Sequence, residues 1–307
     1  MPGNKKSREP LVSVIMPAYN HANYVQEAIK SIISQTYPNI ELLILNDGST
    51  DSTWNKIQEM RAECENRFSR VVFETQENKG TCLTQNRLLD LCSKKSKYIY
   101  VIASDDMSVP FAIEKQLEFL ENNPEYGLCV GDNALMDSEG KTCYWDGDQN
   151  IIYDKDKAKW LTFGKALQEI RGFSFKSELF DSYAQLFKIN HIPNGYLMRA
   201  EIFKNFRYSK EAPLEDWNLM LHISKYYKMN YIDEILFNYR WHQNNSIKNT
   251  EKIQKLEAVT KDYEENLIQK MSLNHLRIPV LKFILKKRAI NKNPYILYLA
   301  FKLIKKI

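Results

Sequence analysis

The length, composition and charge of the chain are those of a globular protein with its basic residues unevenly placed. Its 307 residues, 44% hydrophobic and 12% aromatic, suffice for one large or two small domains with a packed core. The formal net charge is +5, and the residues after Glu265 hold ten Lys or Arg and no acid. No stretch approaches the roughly 20 apolar residues of a membrane-spanning helix, so none is predicted.

Cysteine and charge patterns exclude several further classes. The five cysteines include no C-x-x-C pair, so neither a disulfide framework nor a zinc site is signalled. We therefore expect a reducing, cytoplasmic location. The basic C-terminal run contains few aromatic residues in a stacking arrangement, and we predict no nucleic-acid partner.

The first third of the chain alternates apolar runs with helical periodicities. Apolar runs at 11–16, 40–45, 71–75 and 98–103 predict strands, and the segments between and after them predict helices near 25–33, 51–67, 81–93 and 110–122. Four successive strand–helix units are typical of a parallel sheet covered by helices on both faces.

The remainder of the chain is less regular. Residues 128–137 predict a longer, half-exposed strand, and the segment 140–190 is irregular and rich in aromatic and charged residues. A helix is expected to open at Pro213, with strands near 229–241 and a long polar helix over 251–272.

Polar segments follow the predicted strands, where ligands bind in parallel sheets. They read PAYNHAN, NDGSTDS, ENKG and SDDMS. Asp47 can accept a hydrogen bond from a nucleobase imide, and Tyr19 offers a face for stacking, worth about 1–3 kcal/mol per base. The structural alternative is that Asp47 caps the next helix and Tyr19 packs at a strand end.

Two pairs of adjacent acids stand out. Asp105 and Asp106 end the fourth predicted strand, where their repulsion requires either a solvated turn or a shared cation, with Mg²⁺ or Mn²⁺ suited to oxygen ligands. Glu215 and Asp216 occupy the predicted first turn after Pro213, where the helix dipole alone explains acids. An apolar stripe starting at Trp217 is expected to hold that turn against the sheet.

These motifs together resemble those of the family 2 glycosyltransferases. SVIMPAYN, LNDGSTDST, N-x-G at 78–80, S-D-D at 104–106 and E-D-W at 215–217 occur in the family's order and spacing over residues 11 to about 245. The resemblance implies the α/β GT-A fold, a Rossmann-like, mostly parallel twisted sheet with helices on both faces. It also implies transfer of a sugar, usually from a UDP-sugar, to an acceptor hydroxyl with inversion at the anomeric carbon.

The resemblance also implies a domain organisation. Residues 1–250 are expected to form a catalytic domain, with a nucleotide-binding half over about 11–110 and an acceptor-binding half over about 111–250. Residues 251–307 become a basic, amphipathic helical extension. The acceptor is expected to be a saccharide or lipid-linked saccharide in bacterial surface polysaccharide synthesis.

Individual roles follow by motif. Pro17, Tyr19 and Asp47 resemble the uridine-binding positions, and Asp216 resembles the catalytic base. Asp106, with Asp105 beside it, resembles the ligand of a Mn²⁺ or Mg²⁺ cofactor. The donor-binding set is completed by the other polar positions of these motifs, Asn20, Asn78, Gly80 and Ser104.

The segment NYRWHQNNS places Arg240 and His242 on one face of a strand. Relatives carry similar R-x-H segments, so Arg240 is predicted to contact the diphosphate and His242 the metal. The equally weighted alternative is that His242 is an ordinary hydrogen-bonded residue. No role is predicted for His21, His191, His222 or His275.

Two positions depart from the family pattern. Ala103 replaces an Asp, and Gln85 replaces an Arg that precedes an Asn in the N-x-G helix. The Gln85 difference weakens the expected contact with the donor diphosphate. Both departures favour an alternative function, a non-catalytic nucleotide-sugar-binding partner of a glycan assembly complex.

The C-terminal tail has amphipathic spacing. After Pro294, apolar residues from Ile296 to Ile307 repeat on one helical face, with lysines off that stripe. Such a helix binds a membrane surface, and each basic residue gains about 1 kcal/mol from anionic lipid. A peripheral position on the inner membrane face would suit a lipid-linked acceptor. The alternative of comparable weight is packing on the body or on a second subunit.

Overall fold

The computed structural model describes residues 9–243 and 245–291. The tail helix predicted after Pro294 lies outside the described residues. Within them, no helix combines the length and the apolar character needed to cross a membrane.

The first half alternates strands and helices as the sequence predicts. Its elements are β1 (Leu11–Ala18), α1 (Val25–Ile33), β2 (Ile40–Asp47), α2 (Thr53–Glu59), α3 (Arg61–Arg67), β3 (Arg70–Gln76), α4 (Thr81–Leu91) and β4 (Ser96–Val101). The single helix predicted over 51–67 is wrong. It is interrupted at Met60, whose N–H bonds to the Ile57 carbonyl three residues back and ends α2.

The second half contains more structure than predicted. Its elements are β5 (Met107–Ser108), α5 (Ala112–Asn122), β6 (Tyr126–Met136), β7 (Thr142–Trp145), β8 (Ile151–Ile152), α6 (Phe163–Arg171), α7 (Tyr183–Leu186), β9 (Leu197–Arg199), α8 (Glu215–Tyr226), β10 (Lys228–Arg240), α9 (Thr250–Lys270) and α10 (Ile278–Asn291). Short 3₁₀ turns lie at Lys155–Lys157, Ala200–Lys204 and Ser246–Lys248.

Three predictions in this half are corrected. The segment 140–190 is not wholly irregular, because β7, β8, α6 and α7 lie in it. The helix expected to open at Pro213 begins at Glu215, with Leu214 at the N-cap. The strands expected near 229–241 are one strand, β10, bent by irregular register against β6.

The described strands form one mostly parallel sheet, as predicted. The strand order is β3-β2-β1-β4-β9-β6-β10-β5, with β7 paired to β6 and β8 to β7. The pairs β1–β2, β1–β4, β2–β3 and β6–β10 are parallel. The short strand β9 lies antiparallel between β4 and β6 and so joins two parallel halves.

The sheet is buried on both faces. All eight positions of β2 are buried, as expected for a strand covered on both sides. Successive side chains of β1 enter different apolar clusters, Val14 into one and Ile15 into the other. Helices therefore cover both faces, as the predicted fold class requires.

The helices after residue 250 pack on the same core. Ile268 of α9 and Ile284 of α10 belong to the apolar cluster that contains Trp217 of α8. The backbone N–H of Leu214 also donates to Thr260 Oγ1 at 3.1 Å. α9 is therefore in direct contact with the start of α8. The domain boundary near residue 250 stays a prediction.

Candidate active site

The loops at the carboxyl ends of β1, β2 and β4 face the first turn of α8 across one cavity of about 540 Å³. Of the predicted site residues, those that line it are Pro17, Tyr19, Asp47, Ser104, Asp105, Asp106 and Asp216. Asn20, Asn78, Gly80, Arg240 and His242 are not among the lining residues. The two acidic pairs, far apart in sequence, thus share one cavity.

The polar side chains after β2 mainly connect two loops. Asn20 adopts a left-handed φ of 53°, and its N–H donates to Ser49 Oγ at 2.9 Å. The Thr50 N–H donates back to Asn20 Oδ1 at 2.8 Å, and the Ala22 N–H donates to Asp51 Oδ2 at 3.1 Å. Asn20 therefore positions the loop that carries Tyr19, whose ring is 46% exposed.

Asp47 fastens the N-x-G turn. Its carboxylate accepts hydrogen bonds from the N–H groups of Lys79 and Gly80, each at 2.9 Å, and from Gln76 Nε2 at 2.8 Å. Asp47 therefore does not cap α2, the helix that follows it in the chain. Asn78 is exposed, and its contact with the donor stays a prediction.

Three potential metal ligands meet beside the cavity. His242 Nε2 lies 3.0 Å from Asp105 Oδ2, and His21 Nε2 lies 3.6 Å from the same oxygen. The ligand atoms of these three residues all lie within 4.8 Å of one another. Burial raises the pKa of the Asp105 carboxyl, but the hydrogen bond from His242 and both imidazoles outweigh burial and lower it overall.

Hydrogen bonds from Arg240 hold the aspartate turn, which consists of Asp105 and Asp106. The Arg240 N–H donates to Asp106 Oδ1 at 2.8 Å, and Arg240 Nε donates to the Asp105 carbonyl at 2.7 Å. The guanidinium also donates to Glu27 Oε2 at 2.5 Å. Burial, and then the charge of Asp105, raise the pKa of the Asp106 carboxyl well above its usual range.

Arg240, the residue predicted to contact a diphosphate, is bonded within the protein. Arg240 is 1% exposed, and its guanidinium bonds Glu27 and the carbonyls of Asp137 and Ser138. Its positive charge is thus committed within the protein, away from the cavity. These bonds, with those to Asp105 and Asp106, hold the aspartate turn, and a contact of Arg240 with a diphosphate stays a prediction.

The first turn of α8 presents two acids with perturbed pKa values. Asp216 accepts from Asn190 Nδ2 at 2.9 Å and from the Trp217 N–H at 2.6 Å. Burial raises the pKa of Asp216. Burial, together with the charge of Asp216, raises the pKa of Glu215 to about 8. Trp217 anchors the turn through Nε1, which donates to the Leu186 carbonyl at 2.6 Å.

Several lining residues were not predicted. The cavity also contains Asn194, Tyr196, Tyr208, Tyr239, Asn245 and Lys252, besides His21 and Gln85. Gln85 is 5% exposed, and its Oε1 has no hydrogen-bond partner among the described residues. A usable signal existed for His21, which follows β1 at the ligand-binding edge. No such signal marks Lys252, which lies on the helix assigned to the extension.

The chain is similar in sequence to known glycosyltransferases. A sequence model described as glycosyl transferase family 2 matches residues 13–181. An uncharacterized glycosyltransferase of Methanocaldococcus jannaschii is 25% identical over 236 residues, which are 76% of this chain and 71% of that protein. Chondroitin synthase of Escherichia coli is 32% identical over 170 residues, which are 55% of this chain and only 23% of that protein.

Solved structures with similar folds include TarS and a mannosyltransferase. Residues 1–349 of Staphylococcus aureus TarS in complex with UDP-GlcNAc superpose with a TM-score of 0.56 and 15% identity, covering 90% of this chain and 71% of that one. The mannosyltransferase PcManGT of Pyrobaculum calidifontis, in complex with GDP-Man and Mn²⁺, superposes with a TM-score of 0.61 and 12% identity. The match covers 96% of this chain and 74% of that one. The similarity confirms the predicted fold class.

Proposed function

The chain belongs to glycosyl transferase family 2, and from this premise we propose that it transfers a hexosyl group from a UDP-sugar to an acceptor hydroxyl with inversion. One observation carries the proposal. Asp216 lines the same cavity as Tyr19, Asp47 and the Asp105–Asp106 pair, so a base and a donor-binding edge face one space. TarS, a protein of similar fold, was solved in complex with UDP-GlcNAc.

The donor nucleotide is assigned to the loops after β1 and β2. Tyr19 is exposed at the cavity and suited to stacking on uracil, with Pro17 beside it. Asp47 Oδ2 accepts one hydrogen bond, from Gly80, and a carboxylate oxygen can accept two. The remaining acceptor site of Asp47 Oδ2 is available to the imide N–H of the base.

The base is assigned to Asp216. A sugar hydroxyl is a poor nucleophile at neutral pH, and a carboxylate within hydrogen-bond reach removes its proton as the new bond forms. The raised pKa of Asp216 strengthens it as a proton acceptor once it is ionised. Attack opposite the leaving group inverts the anomeric carbon in one displacement, so no covalent carboxylate nucleophile is needed.

The family and the Mn²⁺-bound mannosyltransferase support dependence on a divalent metal. The donor atoms of Asp105, His242 and His21 fit such an ion, since one carboxylate oxygen and two imidazole nitrogens converge. A bound cation offsets the negative charge that the departing nucleoside diphosphate gains. Asp106 stays a predicted ligand, although its Oδ1 already accepts the Arg240 N–H.

The acceptor is proposed to be a saccharide or a lipid-linked saccharide in surface polysaccharide synthesis. Chondroitin synthase, a polysaccharide enzyme by name, is among the relatives. The half of the chain from about residue 111 supplies Asn194, Tyr196 and Asp216 to the cavity, and we assign acceptor binding to it. A cytoplasmic location, with the tail on the inner membrane face, follows from the lipid-linked acceptor.

The substitution Asp216→Asn tests the mechanism. We expect transfer to fall by at least about 100-fold, the range of general base catalysis, while UDP still binds in the presence of Mn²⁺. Asp262→Asn, at an exposed position on α9, is the matched control and should retain full turnover. Undiminished turnover by Asp216→Asn would overturn the base assignment.

A product assay on the unmodified chain separates catalysis from the alternative. Incubation with a panel of UDP-sugars and Mn²⁺ should yield transfer or donor hydrolysis, and the preferred donor should raise the melting temperature most. Binding of a UDP-sugar without any product over the whole panel would instead establish a non-catalytic binding partner, the function that Gln85 and Ala103 favour.

A further inference from the structure

We propose that His21, Asp105 and His242 together bind one divalent cation, and that this ligand set favours Mn²⁺ over Mg²⁺. The proposal depends on the proposed function only in placing the cation beside a donor diphosphate. His21 is the new element, because it lies in the loop after β1, 84 residues before Asp105 in the chain. The ligand atoms themselves are brought together by the fold.

The distances among the ligand atoms fit a shared ion. Asp105 Oδ2 lies 3.0 Å from His242 Nε2 and 3.6 Å from His21 Nε2, and all three atoms lie within 4.8 Å of one another. Ligands held about 2.1 Å from one ion are about 3 Å apart when adjacent and about 4 Å apart when opposite. Small side-chain adjustments therefore suffice to place an ion among them.

The His21 imidazole is oriented for this role. Its Nδ1 is hydrogen-bonded to Ser104 Oγ at 2.8 Å, which turns Nε2 toward Asp105. Such a partner on the second ring nitrogen is typical of metal-binding histidines. The His21 backbone is also fixed, because its N–H donates to Thr53 Oγ1 at 2.8 Å.

A simple hydrogen-bond explanation accounts for only part of this arrangement. The 3.0 Å separation between His242 and Asp105 is an ordinary hydrogen bond. The 3.6 Å separation between His21 Nε2 and Asp105 is beyond hydrogen-bond length. An ion bound among the three residues would explain the position of His21 Nε2, which the hydrogen bond between His242 and Asp105 does not explain.

The site is open on one side only. The His242 side chain is 3% exposed, whereas the His21 side chain is 25% exposed and lines the cavity with Asp105. The remaining coordination positions therefore face the cavity, where diphosphate oxygens or water can occupy them. Imidazole nitrogen suits transition metals, whereas Mg²⁺ prefers oxygen and usually keeps its water. Two imidazoles among three protein ligands favour Mn²⁺.

Electron spin echo spectroscopy of Mn²⁺ bound to the full chain, without nucleotide, tests the ligand set. We expect nitrogen couplings from two histidines in the unmodified protein and from one in His21→Gln. The dissociation constant of Mn²⁺ should rise at least tenfold in His21→Gln, and the preference for Mn²⁺ over Mg²⁺ should shrink. Ser104→Ala, which leaves all three ligands in place, should weaken Mn²⁺ binding by about tenfold.

His275→Asn is the matched control. His275 is exposed and has a φ of 62°, which Asn tolerates, so its loss should change neither signal nor affinity. Thermal unfolding confirms that each variant is folded. Bound Mn²⁺ without nitrogen coupling, or unchanged binding by His21→Gln, would overturn the proposal even if transfer occurs. A two-histidine signal without any transfer would leave this proposal standing and remove the proposed function.

Discussion

Lys225 and Glu264 form an ion pair in the interior, with Lys225 Nζ 2.6 Å from Glu264 Oε1 and both side chains 2% exposed. The pair joins α8, which begins with the two acids of the cavity, to α9. Tyr183 also donates a hydrogen bond to Glu264. The helix that supplies the proposed base is thus tied to a segment that the sequence assigns to a separate extension.

Breaking this pair should be costly, because one charge would remain buried without its partner. For Glu264→Gln we expect the free energy of unfolding to fall by about 3–5 kcal/mol, measured by urea denaturation. Glu251→Gln, in the exposed pair between Lys255 and Glu251, should change it by less than about 0.5 kcal/mol. The double variant Lys225→Met/Glu264→Leu should recover most of the loss. Equal stability of the two single variants would contradict the prediction.

Arg240→Lys should separate positioning from direct donor contact. Lysine keeps the charge but cannot bridge Glu27 and several carbonyls with a planar fork. We expect a loss of about 2–4 kcal/mol in the free energy of unfolding, as for a disrupted buried network, together with weaker Mn²⁺ binding. Arg61→Lys, at a position 37% exposed, should change neither. Wild-type stability with weakened UDP binding would instead favour the diphosphate contact.

Gly48→Ala, in the loop after β2, should lower stability by more than its backbone conformation alone explains. Gly48 has a φ of 69°, and an added Cβ would lie 2.6 Å from the Asn78 backbone nitrogen. Gly172 has a φ of 71° with nothing within 4 Å. We expect Gly172→Ala to lower the free energy of unfolding by about 1–2 kcal/mol, the penalty of a left-handed backbone, measured by thermal unfolding. Gly48→Ala should cost more and also weaken UDP binding. Equal effects would mean that the turn accommodates the methyl group.

Glu215→Gln should alter how stability depends on pH. The pKa of Glu215 rises from 4.5 to about 8 on folding, so the folded chain holds a proton that the unfolded chain releases. The proton on Glu215 stabilises the folded chain fully below pH 4.5, and this stabilisation is lost as pH rises toward about 8. The variant lacks this loss, and its melting temperature at pH 8 should exceed that of the unmodified chain by several degrees.

The measurement is a series of melting curves between pH 5 and pH 9, a range that includes the pKa of Glu215 of about 8. Glu211→Gln, at an exposed position in the preceding loop, serves as the control and should give a curve parallel to that of the unmodified chain. Parallel curves for Glu215→Gln as well would show that burial of this carboxyl has no consequence for stability.

Gln85→Met should have opposite effects on stability and binding. The buried Oε1 lacks a partner among the described residues, and removing an unsatisfied polar group is neutral or stabilising by about 1 kcal/mol. If the amide serves the donor, affinity for UDP-sugars should fall about tenfold in calorimetry. Gln254→Met, at an exposed position on α9, should leave affinity unchanged. Unaltered affinity for Gln85→Met would exclude a donor contact.

The sequence could predict the first half of the fold because its strands are short, largely apolar runs. Continuous apolar runs such as 40–45 alternate with helical periodicity, and both patterns are local. The grouping of Asp47 and Asp106 around one cavity also follows from position, since strand ends in a parallel sheet meet at one edge. Asp216 lies in the first turn of a helix, and only the motif resemblance points to it. Their chemical roles remain predictions.

The remaining features depend on contacts between distant segments. Arg240 meets Glu27 across more than two hundred residues of sequence, and no local pattern shows that its charge is committed there. Lys252 reaches the cavity because α9 packs beside α8. Met60 interrupts a helix within a sequence whose propensities favour its continuation. These outcomes are set by tertiary packing, which residue spacing does not encode.

The placement of β9 has a consequence for biosynthesis. Tyr98 of β4 pairs with Arg199 of β9, so the edge of β4 stays open on the ribosome until the intervening segment has emerged. An open strand edge is a template for association with other chains. The N-terminal half synthesised up to that point therefore presents an open strand edge, which the three residues of β9 later cover.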